Sequence, residues 1–153
     1  PLSGGIDSCL CALVAHNCCR RAAEEGSKRL QLKTVYMPGE ASSEESRSSA
    51  NDLSEALGCE HIELEVGSSI AALQKASHFP SSVTVLGNLT ARMRLAGVYF
   101  IAQSLADRDA SGPFLCIATG NRDEMYRILF FLMRLVSPVI TQSTIARVAT
   151  WPR

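Results

Sequence analysis

The chain has 153 residues, a length that suits one domain with a sizeable hydrophobic core. Hydrophobic residues make up 46% and charged residues 20%, which argues against a disordered chain and favours a globular one. The formal net charge is zero, so no general attraction to nucleic acid or to an anionic membrane is expected. No apolar run approaches the roughly 18 residues of a membrane span. We therefore expect neither a nucleic-acid partner nor a membrane.

The first predicted element is a helix from Asp7 to about Glu25, which ends before Gly26, a natural C-cap. A strand over residues 32–37 follows, because it is rich in β-formers and is stopped by Pro38. A second helix opens near Ser42, which has capping-box spacing to Glu45. The apolar positions on one face of the first helix are Leu10, Leu13 and Val14.

Alternating polar and apolar residues at 60–66 predict a second strand. A short helix is expected over 69–76, an irregular segment over 78–87, and a long helix over 88–108. The continuous apolar run 114–119 predicts a strand covered on both faces, and a last helix begins at about Arg122.

Helices and strands therefore alternate, which predicts an α/β fold with three layers, a Rossmann-like parallel sheet and helices on both faces. Ligands of such sheets lie beyond the carboxyl ends of the strands. Three loops fall there: 3–8, 38–43 and 120–124. A strand should precede the first loop, yet only Pro1 and Leu2 do, so we expect that strand to lie upstream of this chain.

The loop Ser3-Gly4-Gly5-Ile6-Asp7-Ser8 has the composition of a phosphate site at a helix start. Glycines let backbone N–H groups approach an anion, and the helix N-terminus adds positive partial charge. An ordinary capped helix after a tight turn explains the same residues. The chain has no G-x-x-x-x-G-K-[ST] and no G-x-G-x-x-G motif, which excludes a Walker loop and a dehydrogenase-type dinucleotide fingerprint.

The string Ser3 to Ser8 resembles the SGGxDS signature of the ATP pyrophosphatase superfamily. Three further stretches, which follow in the same order as in that family, resemble NAD synthetases within this superfamily: Val35 to Pro38, Asn88 to Arg94 and Thr119 to Glu124.

 The stretches 42–46 and 53–58 are also similar to that family, particularly to its glutamine-dependent members. The resemblance covers residues 1–127, which we predict to be a partial NAD synthetase domain.

The resemblance implies a role for each matching residue. ATP and its pyrophosphate would be held by Ser3, Gly4, Gly5, Asp7, Ser8 and Thr119, with Tyr36 and Met37 on the adenine side. Asn88 and Arg92 would contact deamido-NAD, although a polar pair four residues apart is also typical of a solvated helix face. Asp7 and Glu124 would share Mg²⁺, since carboxylates suit a hard cation.

The resemblance also implies the reaction, which is amidation of deamido-NAD to NAD through an adenylated intermediate, with release of AMP and pyrophosphate. The substrates would be ATP, deamido-NAD and ammonia, supplied free or by a glutaminase domain upstream of this chain. NAD synthetases are commonly dimers, so we expect a homodimer or a larger assembly of the full-length protein. The alternatives are another ATP pyrophosphatase, of the GMP synthetase or tRNA-thiolating type, and an inactive nucleotide-binding fragment.

Residues 128–153 match nothing in the family, and we interpret them as an altered or truncated C-terminus.

The six cysteines form no C-x-x-C pair, so we expect free thiols in a reducing, cytoplasmic setting. Four of them lie on or near the first helix, where small thiols pack easily. The cysteines are Cys9, Cys11, Cys18, Cys19, Cys59 and Cys116.

Overall fold

The computed structural model describes residues 1–26, 30–39, 42–109 and 114–119. These residues belong to one compact unit, Pro1–Thr119. None of the helices in these ranges is long and apolar enough to cross a membrane. The elements are, in chain order, α1 (Ile6–Glu24), β1 (Lys33–Tyr36), α2 (Glu44–Ala56), β2 (Glu60–Glu63), α3 (Gly67–Ser77) and α4 (Val83–Asp109).

The two strands are parallel and pair with Val35 opposite Ile62. The hydrogen bonding continues past β2, because Leu64 N donates to the Tyr36 carbonyl at 2.9 Å. On the other edge of β1, Leu2 N donates to the Val35 carbonyl at 2.8 Å. Both edges of β1 are therefore hydrogen-bonded. The loop that follows Leu2 begins beside the carboxyl end of β1.

Side chains of β1 alternate between two cores, as successive residues of a strand must. Val35 and Met37 pack in one core with Ile70 of α3 and Val98 of α4. Tyr36 packs in the other with three small or branched residues, Leu2, Ala12 of α1 and Ala50 of α2. Helices thus cover both faces of a parallel sheet, which confirms the predicted three-layer α/β fold.

One predicted helix start and one predicted cap are wrong, and hydrogen bonds to serine side chains explain both. Helix α4 begins at Val83, inside the segment predicted to be irregular, because Ser82 Oγ accepts a hydrogen bond from Val85 N at 3.3 Å. Helix α2 is capped by Ser43, whose Oγ accepts from Ser46 N at 3.2 Å. Ser42 does not form the predicted capping box, since its hydroxyl accepts from the Gly39 amide instead.

The predicted strand over 114–119 is also wrong, because none of these residues joins the sheet. Cys116 of this segment packs against the core that contains Val98. Within the described ranges the sheet consists of β1 and β2, and residues 114–119 make no backbone hydrogen bond to either strand.

The apolar face that spacing assigns to α1 is exposed. Leu10 and Val14 are 60% and 56% accessible, whereas Ser8 and Ala12 are buried. Small side chains on the buried face let α1 lie close to Tyr36 and Leu2.

Charged residues join the start of both strands to the end of α4. Lys33 Nζ lies 2.5 Å from Glu60 and 2.9 Å from Asp109. Arg108 donates to both oxygens of Glu60, at 3.0 and 3.1 Å. Hydrogen bonds from Arg108 and then from Lys33 lower the pKa of Glu60 to about 2.

This cluster predicts a loss of stability in acid. A folded-state pKa below the usual 4.5 means that Glu60 stabilises the fold above that pH, and that this contribution disappears as the pH falls towards 2. Because Glu60 is partly exposed, solvent screening limits the effect to about 1 kcal/mol. Urea unfolding of the wild type and of Glu60→Gln between pH 5 and pH 2 measures it. The variant should show a flatter pH dependence, whereas Glu24→Gln, at an exposed pair on α1, should not. Equal slopes for Glu60→Gln and the wild type would contradict this account.

Candidate nucleotide site

The loop Ser3–Ser8 is held in one conformation by its own hydroxyl groups. Ser3 N donates to Ser8 Oγ at 3.1 Å, and Ser8 Oγ donates to the Gly5 carbonyl at 2.8 Å. The two hydroxyl oxygens lie 3.0 Å apart, and Ser8 is buried. The loop is therefore formed before any ligand arrives.

Only glycine fits at the second position of this loop. Gly4 has a φ of +80°, in the left-handed region that favours glycine. A Cβ built at Gly4 would stand 2.2 Å from the Ser46 carbonyl oxygen. Gly5 differs, because its φ is −79° and the nearest atom to its Cβ position, Ser3 Oγ, is 3.5 Å away.

Helix α1 begins without a side-chain cap, unlike the three helices that follow it. Its N-cap residue is Gly5, which has no side chain to accept a hydrogen bond. The first turn of α2 is capped by Ser43, that of α3 by the carboxylate of Glu65, and that of α4 by Ser82. The amides at the start of α1 are donors that an anion would satisfy.

The Asp7 carboxylate is exposed in the first turn of α1. No hydrogen bond or ion pair within the described ranges involves it. A carboxylate with both oxygens available is a suitable ligand for Mg²⁺, so Asp7 fits the predicted metal role. Glu124, the second predicted ligand, lies outside the described residues. Thr119 is half-buried at the last described position.

The end of β1 lies beside the glycine loop. Tyr36 is buried, and its hydroxyl lies 3.1 Å from Ser46 Oγ on α2. Ser46 is the residue whose carbonyl faces Gly4, so one turn of α2 contacts both the loop and the strand. Met37 is buried too, with its side chain in the core on the α4 side.

Asn88 and Arg92 lie one turn apart near the start of α4. Asn88 is half-buried and Arg92 is exposed. Arg92 Nη1 donates to the Asn88 carbonyl at 3.1 Å, which turns the guanidinium back along its own helix. Within the described ranges, neither side chain is hydrogen-bonded to the glycine loop. Their predicted contact with deamido-NAD stays a prediction.

Two residues of this region have roles that the sequence did not indicate. Ser46 lies under the glycine loop, with its carbonyl oxygen against Gly4. Arg94 Nε donates to the Met37 carbonyl at 2.9 Å. Arg94 belongs to the Asn88–Arg94 motif, which indicated a substrate site. The motif did not predict the hydrogen bond from Arg94 to the Met37 carbonyl.

Comparison with known proteins agrees with the geometry. The NAD synthase family model matches residues 1–130. The chain therefore belongs to the NAD synthase family.

Individual relatives are longer than this chain. It is 30% identical to the glutamine-dependent NAD(+) synthetase of Saccharomyces cerevisiae over 83% of the chain and 24% of that protein. It is 34% identical to the NH(3)-dependent NAD(+) synthetase of Methanoregula boonei over 80% of the chain and 44% of that protein. The structure of the Acinetobacter baumannii glutamine-dependent enzyme in complex with ADP superimposes with a TM-score of 0.59 at 27% identity, covering 82% of this chain and 22% of that one. The chain thus spans less than half the length of each of these relatives.

Alanine substitutions at Gly4 and Gly5 should differ in how much they destabilise the fold. Gly4→Ala should destabilise the fold by at least about 1–2 kcal/mol from the positive φ alone, with the clash against Ser46 added. Gly5→Ala should leave the unfolding midpoint nearly unchanged, because its backbone suits alanine. Thermal unfolding of both variants tests this contrast. A Gly4→Ala protein as stable as the wild type would show that the loop does not pack on α2 as described.

Proposed function

We propose that this chain is the ATP-binding part of a ligase that amidates deamido-NAD to NAD. Membership of the NAD synthase family supports this. The observation that carries it is the start of α1, where a preformed glycine loop leaves the first-turn amides without a side-chain cap. Such a helix start binds a phosphate group through backbone donors and its positive partial charge.

The residues of the loop would share one task. Ser3, Gly4, Gly5 and Ser8 would hold the pyrophosphate end of ATP, and Thr119 would contact the same nucleotide. Tyr36 and Met37 would form the adenine side through the backbone at the end of β1, since both side chains are buried. Asn88 and Arg92 would bind deamido-NAD.

The reaction would proceed in two balanced steps. A carboxylate oxygen of deamido-NAD attacks the α-phosphorus of ATP, the bond between the α and β phosphates breaks, and pyrophosphate leaves with its electron pair. Ammonia then attacks the adenylated carboxyl carbon, AMP leaves, and the nitrogen loses a proton to give the amide. The loop would stabilise the charge that grows on pyrophosphate, and fixed positions of the two substrates would lower the entropy cost.

Asp7 and Glu124 are the residues that would hold Mg²⁺. The ion would supply charge neutralisation on the phosphates. Ammonia would arrive free or from a glutaminase domain elsewhere in the complete protein, and the complete protein would be a homodimer or larger.

Calorimetric titration of the chain Pro1–Arg153 with ATP and Mg²⁺, then with deamido-NAD, tests the proposal. We expect saturable binding of both, followed by amide formation when ammonia is added. Binding of ATP without turnover would support the inactive-fragment alternative. Tight binding of xanthosine monophosphate instead of deamido-NAD would support the GMP synthetase type. Absence of ATP binding would refute the proposal.

The metal role of Asp7 predicts a specific loss. Asp7→Asn should remove most of the increase in ATP affinity that Mg²⁺ produces, because an amide is a weaker ligand and carries no charge. The measurement is ATP affinity with and without Mg²⁺. Asp107→Asn, at an exposed carboxylate of α4, is the matched control and should keep the full increase. An unchanged Mg²⁺ effect in Asp7→Asn would remove Asp7 from the metal site.

A further inference from the structure

Arg94 connects helix α4 to the chain that leaves β1. Its Nε donates to the Met37 carbonyl at 2.9 Å, and its Nη2 lies 3.3 Å from Ser42 Oγ. Arg94 is half-buried, so both hydrogen bonds are partly protected from water. Hydrogen bonds to a charged donor are shorter and stronger than neutral ones.

The two arginines of the motif point in different directions. Each helical residue advances by about 100°, so Arg92 and Arg94 are separated by roughly 200° around α4. Arg92 is exposed and its guanidinium contacts only the Asn88 carbonyl of its own helix within the described ranges. Arg94 faces the sheet side. The exposed Arg92 guanidinium is thus accessible to a substrate, whereas the Arg94 guanidinium is hydrogen-bonded to residues outside its own helix.

Gly39 and Ser42, which lie beside the Arg94 guanidinium, are hydrogen-bonded to each other. Ser42 N donates to the Gly39 carbonyl at 3.0 Å, and Gly39 N donates to Ser42 Oγ at 3.0 Å. Arg94 Nη2 stands 3.6 Å from the position that a Cβ on Gly39 would occupy. The guanidinium therefore holds the strand end at Met37 together with Ser42, the residue before the N-cap of α2.

We propose that Arg94 is a positioning residue, which sets the adenine end of the ATP site by clamping Met37 and Ser42 together. This inference rests on the proposed function, which places the adenine beside Tyr36 and Met37. Arg94 itself does not touch ATP. It acts through the Met37 carbonyl and the Ser42 hydroxyl, so its removal should weaken ATP binding more than deamido-NAD binding.

Lysine cannot replace this clamp. A guanidinium presents several N–H donors in a rigid fork, whereas an ammonium is a single compact charge on a flexible stem. Arg94→Lys should retain only one of the two contacts, and Arg94→Gln should retain neither in full.

Calorimetry on the chain Pro1–Arg153 compares Arg94→Gln with Arg92→Gln, which changes the same residue type on the same helix. Arg94→Gln should weaken ATP binding about tenfold, because the variant must order the strand end when ATP binds, at a cost of about one charged hydrogen bond, and change deamido-NAD binding less than twofold. Arg94→Lys should fall between Arg94→Gln and the wild type. Arg92→Gln should show the reverse preference. Equal losses for both ligands in Arg94→Gln would indicate a general structural role and overturn the proposal.

Hydrogen exchange without ligand separates this inference from the proposed function. In Arg94→Gln the amides of Gly39 and Ser42 should exchange at least about tenfold faster, because the hydrogen bonds between these two residues lose the support of Arg94. Amides of β2 should keep their wild-type rates. Faster exchange in a chain that binds no ATP would retain the clamp and refute the ATP site. Unchanged exchange rates at Gly39 and Ser42 would refute the clamp, whether or not the chain binds ATP.

Ser42→Ala gives a second variant if Arg94→Gln fails to fold. It removes one acceptor of Arg94 and leaves the Met37 contact. ATP binding should weaken by a smaller factor than in Arg94→Gln, and the double variant should be no weaker than Arg94→Gln alone. Fully additive losses would show that the two residues act independently, which contradicts a shared clamp.

Discussion

The close contact between Gly4 and the Ser46 carbonyl is the constraint on which the site depends. No other residue could bring the loop backbone so near to α2 without a clash, and the positive φ of Gly4 is unfavourable for any side chain. Ser46 in turn binds the Tyr36 hydroxyl at the end of β1. The glycine loop, the start of α2 and the strand end are therefore fixed as one unit.

This arrangement explains why α1 can begin without a cap. Helix starts normally take an oxygen from a nearby side chain, as α2, α3 and α4 do from Ser43, Glu65 and Ser82. At α1 the hydroxyls of Ser3 and Ser8 bond within the loop instead. The loop is rigid because of these bonds, and the amides of the first turn remain for a ligand.

The sequence predicted the order of elements and the two-sided sheet, because hydrophobic alternation and turn residues are local signals. It failed where a tertiary contact decided the outcome. Residues 114–119 have strand composition, yet Cys116 packs on the core while the segment pairs with neither β1 nor β2. Arg94 and Ser46 look like ordinary helix residues, and only the packing of α4 and α2 gives them their partners. His61 Nδ1 lies 2.7 Å from the buried Thr34 hydroxyl, and only the register of the two strands brings these residues together.

The central claim is that the start of α1 binds the pyrophosphate end of ATP. Titration of the ¹⁵N-labelled chain with inorganic pyrophosphate, followed by amide chemical shifts, tests it most directly. The account predicts saturable shifts that are largest at Ile6, Asp7 and Ser8, with little change at the capped starts of α2, α3 and α4. Shifts concentrated at those capped helix starts, or no saturable shift at α1, would contradict it.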